Sequence, residues 1–328
     1  MRLRRAFSFS LAVAACGLAW TVAGPASAQV APYPSKPITL VVAYPPGGST
    51  DLTGRALGTE LSHRLGVPVI IENLGGAGGA IGAQKVANAA PDGYTLLVGA
   101  NNEVAINKLI NAAVRYEAKD FTPIGLIASQ PLVLVAAPTA GVKNTGEFLA
   151  LLKKNPGKYS YGSSGVGTSL HLAGEMVKQR GGVFMTHVPY RGVAPLTSDL
   201  LGGNIDFGVF VLSSALPHIR SGKLVALGTT EAKRSAITPD LPALSESPSL
   251  KDLDIGVWFV LMGPAKLPEA VQARLTTALN ETLQSPDFRK KMEATSSTVP
   301  TSAVDVNKFL AAETAKYKNI VKFANIKE

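Results

Sequence analysis

The chain has 328 residues, 46% of them hydrophobic and 17% charged, with a formal charge of +9. This composition excludes a disordered chain, and the length is enough for two domains with cores of their own. A charge this mild, with no dense Lys/Arg stripe interleaved with aromatics, argues against a nucleic-acid binder.

The first 28 residues read as an export signal. "MRLRR" is a basic start, "AFSFSLAVAACGLAWTVAG" an apolar run, and Ala26-Ser27-Ala28 the small-residue pattern before a cut. Cleavage after Ala28 leaves a chain starting at Gln29, exported across the inner membrane. Its net charge falls from +9 to +6, and Cys16, the only cysteine, is removed. A chain without thiols is indifferent to an oxidising compartment. Arg4-Arg5-Ala6-Phe7 also fits a twin-arginine signal loosely. Val13-Ala14-Ala15-Cys16 has the look of a lipoprotein box, but the run after it stays apolar. Elsewhere the best candidate for a membrane span, "PIGLIASQPLVLVAAP" (123–138), is broken by Ser129, Gln130 and Pro131.

After a proline-stiffened lead-in, "ITLVVAY" (38–44) is the β-branched run of a buried strand. A helix starts near Asp51, carries Leu57, Leu61 and Leu65 on one stripe and stops at Gly66. A strand over 67–73, a helix over 79–90 and a strand over 94–99 follow, with "PDG" (91–93) as a turn. The alternation continues with helix 145–154, strand 159–162, helix 168–180, strand 186–190 and helix 193–202. Strand 205–211, helix 213–221 and strand 223–230 come next. A strand over 255–263 precedes a helix with Pro268 near its first turn and Val271, Leu275, Leu279 and Leu283 on one face. A last helix covers 304–325. Alternation of this kind predicts an α/β fold built on a parallel sheet with right-handed crossovers.

Three glycine-rich turns, "PPGGST", "NLGGAGGAIG" and "GSSGVGT", each follow a predicted strand and open a helix. They fail the nucleotide signatures. Gly76 and Gly78 have dinucleotide spacing, but Ile81 stands where the third glycine belongs, and Gly82-Ala83-Gln84 replaces the Gly-Lys-Ser/Thr of a phosphate loop. "GSSGV" misses a nucleophile elbow by one residue, and His63, His171, His187 and His218 are scattered. No two histidines have metal-ligand spacing. What remains is backbone chemistry: unpaired N–H groups at helix starts attract carboxylate as readily as phosphate. The competing reading is that these are ordinary turns capped by Ser49, Thr50 or Thr168. Three at the carboxyl ends of strands, where ligands of open α/β sheets bind, favour a binding site.

"YPSKPITLVVAYPPGGSTDLTGRAL", "IIENLGGAGGAIGAQKVANAAPDGYTLL", "YSYGSSGVGTSLHLAGE" and "HVPYRGVAPLTSDLLGGNIDFGV" together resemble the Bug family. These are the periplasmic, TctC-like solute-binding receptors of tripartite tricarboxylate transporters. "PDLPALSE" and "VWFVLMGPAKLPEAVQARL" extend the likeness over essentially the whole chain after Tyr33. The resemblance implies a type II periplasmic-binding fold. Two lobes with parallel-rich sheets, 32–127 plus 228–328 and 128–227, would be joined by two crossings and close on a ligand between them.

The same resemblance implies a binding protein rather than an enzyme, with no cofactor. The ligand would be a small carboxylate: an organic acid, dicarboxylate, amino acid or aromatic acid. The first-lobe cradle would be Tyr44, Pro45, Gly47, Gly48, Ser49 and Asp51, with Gly76, Ala77 and Gly78. The second lobe would supply Ser163, Ser164, Gly165, Gly167 and Thr168, with His171, Tyr190 and Arg191 near. Asp206, Asn101 and Asn102 would sit toward the distal end of the ligand. Gly75 stands where the family usually has proline, and Tyr44 where phenylalanine is common, adding a hydroxyl for ligand or water. The expected partners are a carboxylate and the membrane permease of the transporter, with the protein a monomer. A sensor that feeds a signalling protein and a secreted α/β hydrolase are the alternative readings.

Overall fold

The computed structural model describes residues 33–327. The expected export signal over 1–28, with Cys16 and the cut after Ala28, lies outside them.

The chain opens with β1 (Ile38–Val42), α1 (Ser49–Leu65), β2 (Val69–Asn73), α2 (Ala80–Ala87) and β3 (Thr95–Ala100). The Leu57, Leu61 and Leu65 stripe is the buried face of α1, as its spacing predicts, and the helix ends at Gly66. Each of those leucines contributes about 1.5–3 kcal/mol by leaving water. A π-helical turn (Asn102–Ile106) runs straight into the single-turn α3 (Asn107–Ile110).

Next come β4 (Phe121–Ala136), α4 (Thr145–Lys154), β5 (Ser160–Ser163), α5 (Ser169–Gly181), β6 (Thr186–Pro189) and α6 (Val193–Leu201). They are followed by β7 (Phe207–Val211), α7 (Leu212–Arg220), β8 (Val225–Thr229) and β9 (Gly256–Pro264). The chain closes with α8 (Glu269–Gln284), α9 (Pro286–Ala294) and α10 (Val306–Ala324). Among the described residues, no helix is long and apolar enough to cross a membrane.

The sheet order is β2-β1-β3-β9-β4-β7-β5-β6, with β8 also on β4. The outer pairs, β1 with β2 and β3, and β5 with β6 and β7, are parallel as the βα alternation predicts. The centre is not. β9 runs antiparallel to β3 and β4, and β4 runs antiparallel to β7 and β8, so the sheet is mixed rather than parallel. The reason is β4. Its 16 residues are one strand, although the polar Ser129-Gln130-Pro131 break hides it in the sequence. Phe121–Pro131 pair with β9 and Leu132–Ala136 with β7, so one strand serves both sides of the sheet.

A single large hydrophobic core runs through both sides, from Leu40 and Leu57 to Phe148, Tyr161 and Leu172. A smaller cluster around Leu196, Leu200 and Phe210 seats α6 and α7. The three glycine-rich turns leave the carboxyl ends of β1, β2 and β5, all parallel strands.

Candidate functional site

The first turn, residues 43–48, is organised by Asp51. Its carboxylate accepts from the Gly47 N–H at 2.9 Å, from Arg55 Nε at 2.9 Å and from Asn73 Nδ2 at 2.9 Å, and the Asn73 amide also donates to the Tyr44 carbonyl. Burial works to raise its pKa, but the bonds from Arg55, Gly47 and Asn73 outweigh it and hold the carboxyl below its ordinary range. Asp51 is 2% exposed, and these bonds fix the shape of the turn. No side chain caps α1. The N–H groups of Gly48, Ser49 and Thr50 have no partner among the described residues, and Pro45 to Gly48 are exposed.

In the second turn Gly76, Ala77, Gly78 and Gly79 all take positive φ, at 128°, 48°, 60° and 91°. Glycine tolerates this region and alanine does so only under strain. The conformation turns the Ala77 and Gly78 carbonyls toward Asn107 Nδ2, at 3.4 and 2.9 Å. The N–H groups of Gly76, Ala77 and Gly78 are left without partners among the described residues. Gly75 packs on the Pro45 ring, which brings the first two turns together.

The third turn is different. Gly165 N–H is taken by Ser163 Oγ at 3.2 Å and Gly167 N–H by His171 Nδ1 at 3.0 Å. Thr168, the cap of α5, donates to the Gly165 carbonyl and accepts from His171 N–H. The Gly165 and Gly167 amides, expected in the second-lobe cradle, are thus bonded to acceptors of the protein itself. Ser164 and Val166 keep unpartnered N–H groups among the described residues. Arg191, exposed and without a charged partner among the described residues, sits beside them. Its neighbours tie back to the turn, Tyr190 N–H to the Ser163 carbonyl and Gly192 N–H to that of Ser164.

Behind this turn lies a buried polar layer. His171 and His187 stack at 3.8 Å, Ser163 Oγ is 2.7 Å from His187 Nε2, and Glu175 accepts from Tyr161 and Lys178. Burial, with lesser contributions from nearby charge, pushes His171 down to about 4 and His187 to about 3, so both rings are neutral. The Ser163–His187 distance suits a hydrolytic dyad, but Ser163 is 0% exposed and its hydroxyl also bonds the Gly165 carbonyl.

The three turns meet on the π-helical turn and α3, a stretch with no periodic signal in the sequence. Asn102 Oδ1 accepts from Ser169 N–H at the start of α5, at 3.1 Å. Gly167 closes on Ile110 so tightly that a Cβ there would collide with its side chain. Glu103 accepts from Tyr44 Oη at 2.6 Å and lies 3.0 Å from where a Cβ on Gly79 would be. The extra hydroxyl of Tyr44 therefore points inward to Glu103, not outward.

Two of the expected residues stand elsewhere. Asn101 donates to the Gly256 carbonyl and Tyr317 Oη, facing β9 and α10. Asp206 accepts from Ser160 N–H and Oγ, at the start of β5, while the third turn leaves its far end. Tyr190 Oη is engaged by Asp199 at 2.8 Å.

Residues 53–326 match the family model described as the tripartite tricarboxylate transporter family receptor. The chain is 32% identical to Protein BugT of Bordetella pertussis over 304 residues, covering 92% of each. It resembles the solved structure of a Rhodopseudomonas palustris protein with adipate (29% identity, TM-score 0.82, 90% of this chain and 99% of that one). It is also similar to MatC of the same organism with bound malate (29% identity, TM-score 0.77, 88% and 100%). These similarities are to solute-binding proteins and not to enzymes.

Proposed function

The chain belongs to the tripartite tricarboxylate transporter receptor family, and from that premise we propose that it captures a small dicarboxylate in the periplasm and delivers it to a membrane permease. Relatives of the same fold were solved with malate and with adipate, which supports an organic acid as the ligand class. The observation that carries the reading is the set of unpartnered N–H groups on the first two turns, Gly48 to Thr50 and Gly76 to Gly78, held side by side by the Gly75–Pro45 contact. Amide dipoles fixed in place replace the water of a carboxylate without reorganising. Arg191 supplies the cation for the second carboxylate from the other side of the sheet.

The pairing of β4 supports two lobes, 32–127 plus 228–328 and 128–227. The crossings would lie near Pro131 in β4 and between β8 and β9. There Thr230 N–H bonds the Leu132 carbonyl, and Ile255 N–H bonds that of Thr230. The permease would read the closed form of a monomer.

A thermal-shift and calorimetry panel of mono- and dicarboxylates, malate and adipate included, tests the reading. At a hundred times its Kd a ligand adds about 2.7 kcal/mol and raises the melting temperature by several degrees. If no carboxylate shifts the protein, the ligand class is wrong.

A further inference from the structure

Glu103 places a buried carboxylate at the meeting point of the three turns, and the binding reading makes no use of it. It is 1% exposed. Oε1 accepts from Ala100 N–H and Oε2 from Tyr44 Oη, both at 2.6 Å, and its own carbonyl accepts from Tyr116 Oη. The second turn lies directly over it at Gly79, and the next residue back, Asn102, holds the start of α5.

We propose that Glu103 sets the charge of the cradle, so that carboxylate capture is coupled to uptake of one proton at this side chain. The inference rests on the carboxylate reading of the site. The reason is electrostatic. An ionised Glu103 places a negative charge, in a poorly screened interior, beneath the turn that must receive another. A neutral Glu103 removes that charge and leaves the amide dipoles beside Asp51, whose carboxylate is paired with Arg55. Both states are satisfied locally. Ionised, the carboxylate accepts from Ala100 N–H and Tyr44 O–H. Protonated, Oε2 donates to Tyr44 Oη, which turns its own hydrogen to the Gly78 carbonyl at 3.4 Å.

Burial pushes the Glu103 carboxyl up to about 7, against the opposing effect of its hydrogen bonds. The titratable groups facing it are phenols: Tyr44 from the end of β1 and Tyr116 from the stretch before β4, both raised by burial. From α10, Tyr317 and the Glu313 bonded to it face the neighbouring Asn101. Lys85 of α2 is engaged by Glu72, and Lys108 of α3 by the Val114 carbonyl. From α5, His171 is neutral. No ion pair reaches Glu103 among the described residues. Bound carboxylate raises the affinity of Glu103 for its proton, and by reciprocity the proton raises the affinity for carboxylate.

The test is calorimetry with the tightest-binding carboxylate of the panel between pH 6 and 8.5, in buffers of different ionisation enthalpy. For the wild type, affinity should fall about fivefold or more from pH 7 to 8.5, with proton uptake on binding. Glu103→Gln should bind with a flat profile and no proton exchange. Equal pH profiles for the two proteins, or affinity rising with pH in the wild type, would overturn the proposal while leaving the binding reading intact. Absence of binding at every pH would overturn the reading beneath it. Should Glu103→Gln not fold, proton uptake by the wild type still decides: none measured at pH 7 to 7.5 overturns the coupling.

Discussion

Asp51 is the residue where two plausible roles separate. A carboxylate in the first turn of a helix suits a cap or a ligand contact equally well by sequence, and in the structure three donors of the protein itself, Gly47, Arg55 and Asn73, are bonded to it. Because the folded carboxyl sits below its ordinary range, its contribution is complete above the unfolded pKa and is lost as pH falls through the folded one. Asp51→Ala should therefore cost about 1–2 kcal/mol near neutrality, by removing the acceptor shared by the Gly47 N–H, Arg55 Nε and the half-buried Asn73 amide. The gap to wild type in urea unfolding should narrow below pH 4. A gap that stays constant from pH 7 to pH 3 would show that the carboxylate does not hold the turn. Tyr190, Asn101 and Asp206, whose sequence contexts suit a binding site, are bonded in the structure to Asp199, Tyr317 and Ser160.

The decisive element is the π-helical turn over Asn102–Ile106 with α3. Its period is too irregular to leave an amphipathic trace, and its importance lies in what it touches. It supports the second turn through Glu103 and Asn107 and satisfies an orphan N–H of α5 through Asn102. Helix starts need such acceptors, and α5 has two: the Thr168 hydroxyl at its own cap and the Asn102 amide oxygen from a distant segment. Asn102→Ala and Thr168→Ala should each destabilise the protein by about 1 kcal/mol in chemical denaturation. They differ in kind. The Thr168 bonds lie within the third turn and α5, whereas the Asn102 bond joins α5 to the segment after β3, so the Asn102 change should also weaken carboxylate binding. Equal binding by both variants would remove Asn102 from the site.

At the scale of the molecule, β4 carries the consequence. A strand paired to β9 at one end and to β7 and β8 at the other is where the proposed two-lobe reading puts the axis of closure. The contacts between Asn102 and Ser169 and between Ile110 and Gly167 join the segment after β3 to the third turn. X-ray scattering should show a smaller radius of gyration with bound carboxylate than without it. Superimposable curves would mean that the molecule binds without closing.

Much of this was legible beforehand. The helix over 145–154 and the βα alternation follow from periodicity and turn residues, which are local properties of the chain. Antiparallel β9 and the length of β4 are not local. They depend on which distant strand supplies the hydrogen bonds, and Gly125 and Pro131 disguise a strand that its partners sustain. The amino acids by themselves determined the α/β class, the family likeness and the three turns at strand ends, because each rests on neighbouring residues and their backbone preferences. Only the tertiary structure decided which amides stay free among the described residues, that His171 and Ser163 bond within the third turn and its buried layer, and that Glu103 lies beneath the second turn. Those outcomes are competitions for hydrogen bonds between segments far apart in the chain, and the winner is set by where folding brings them.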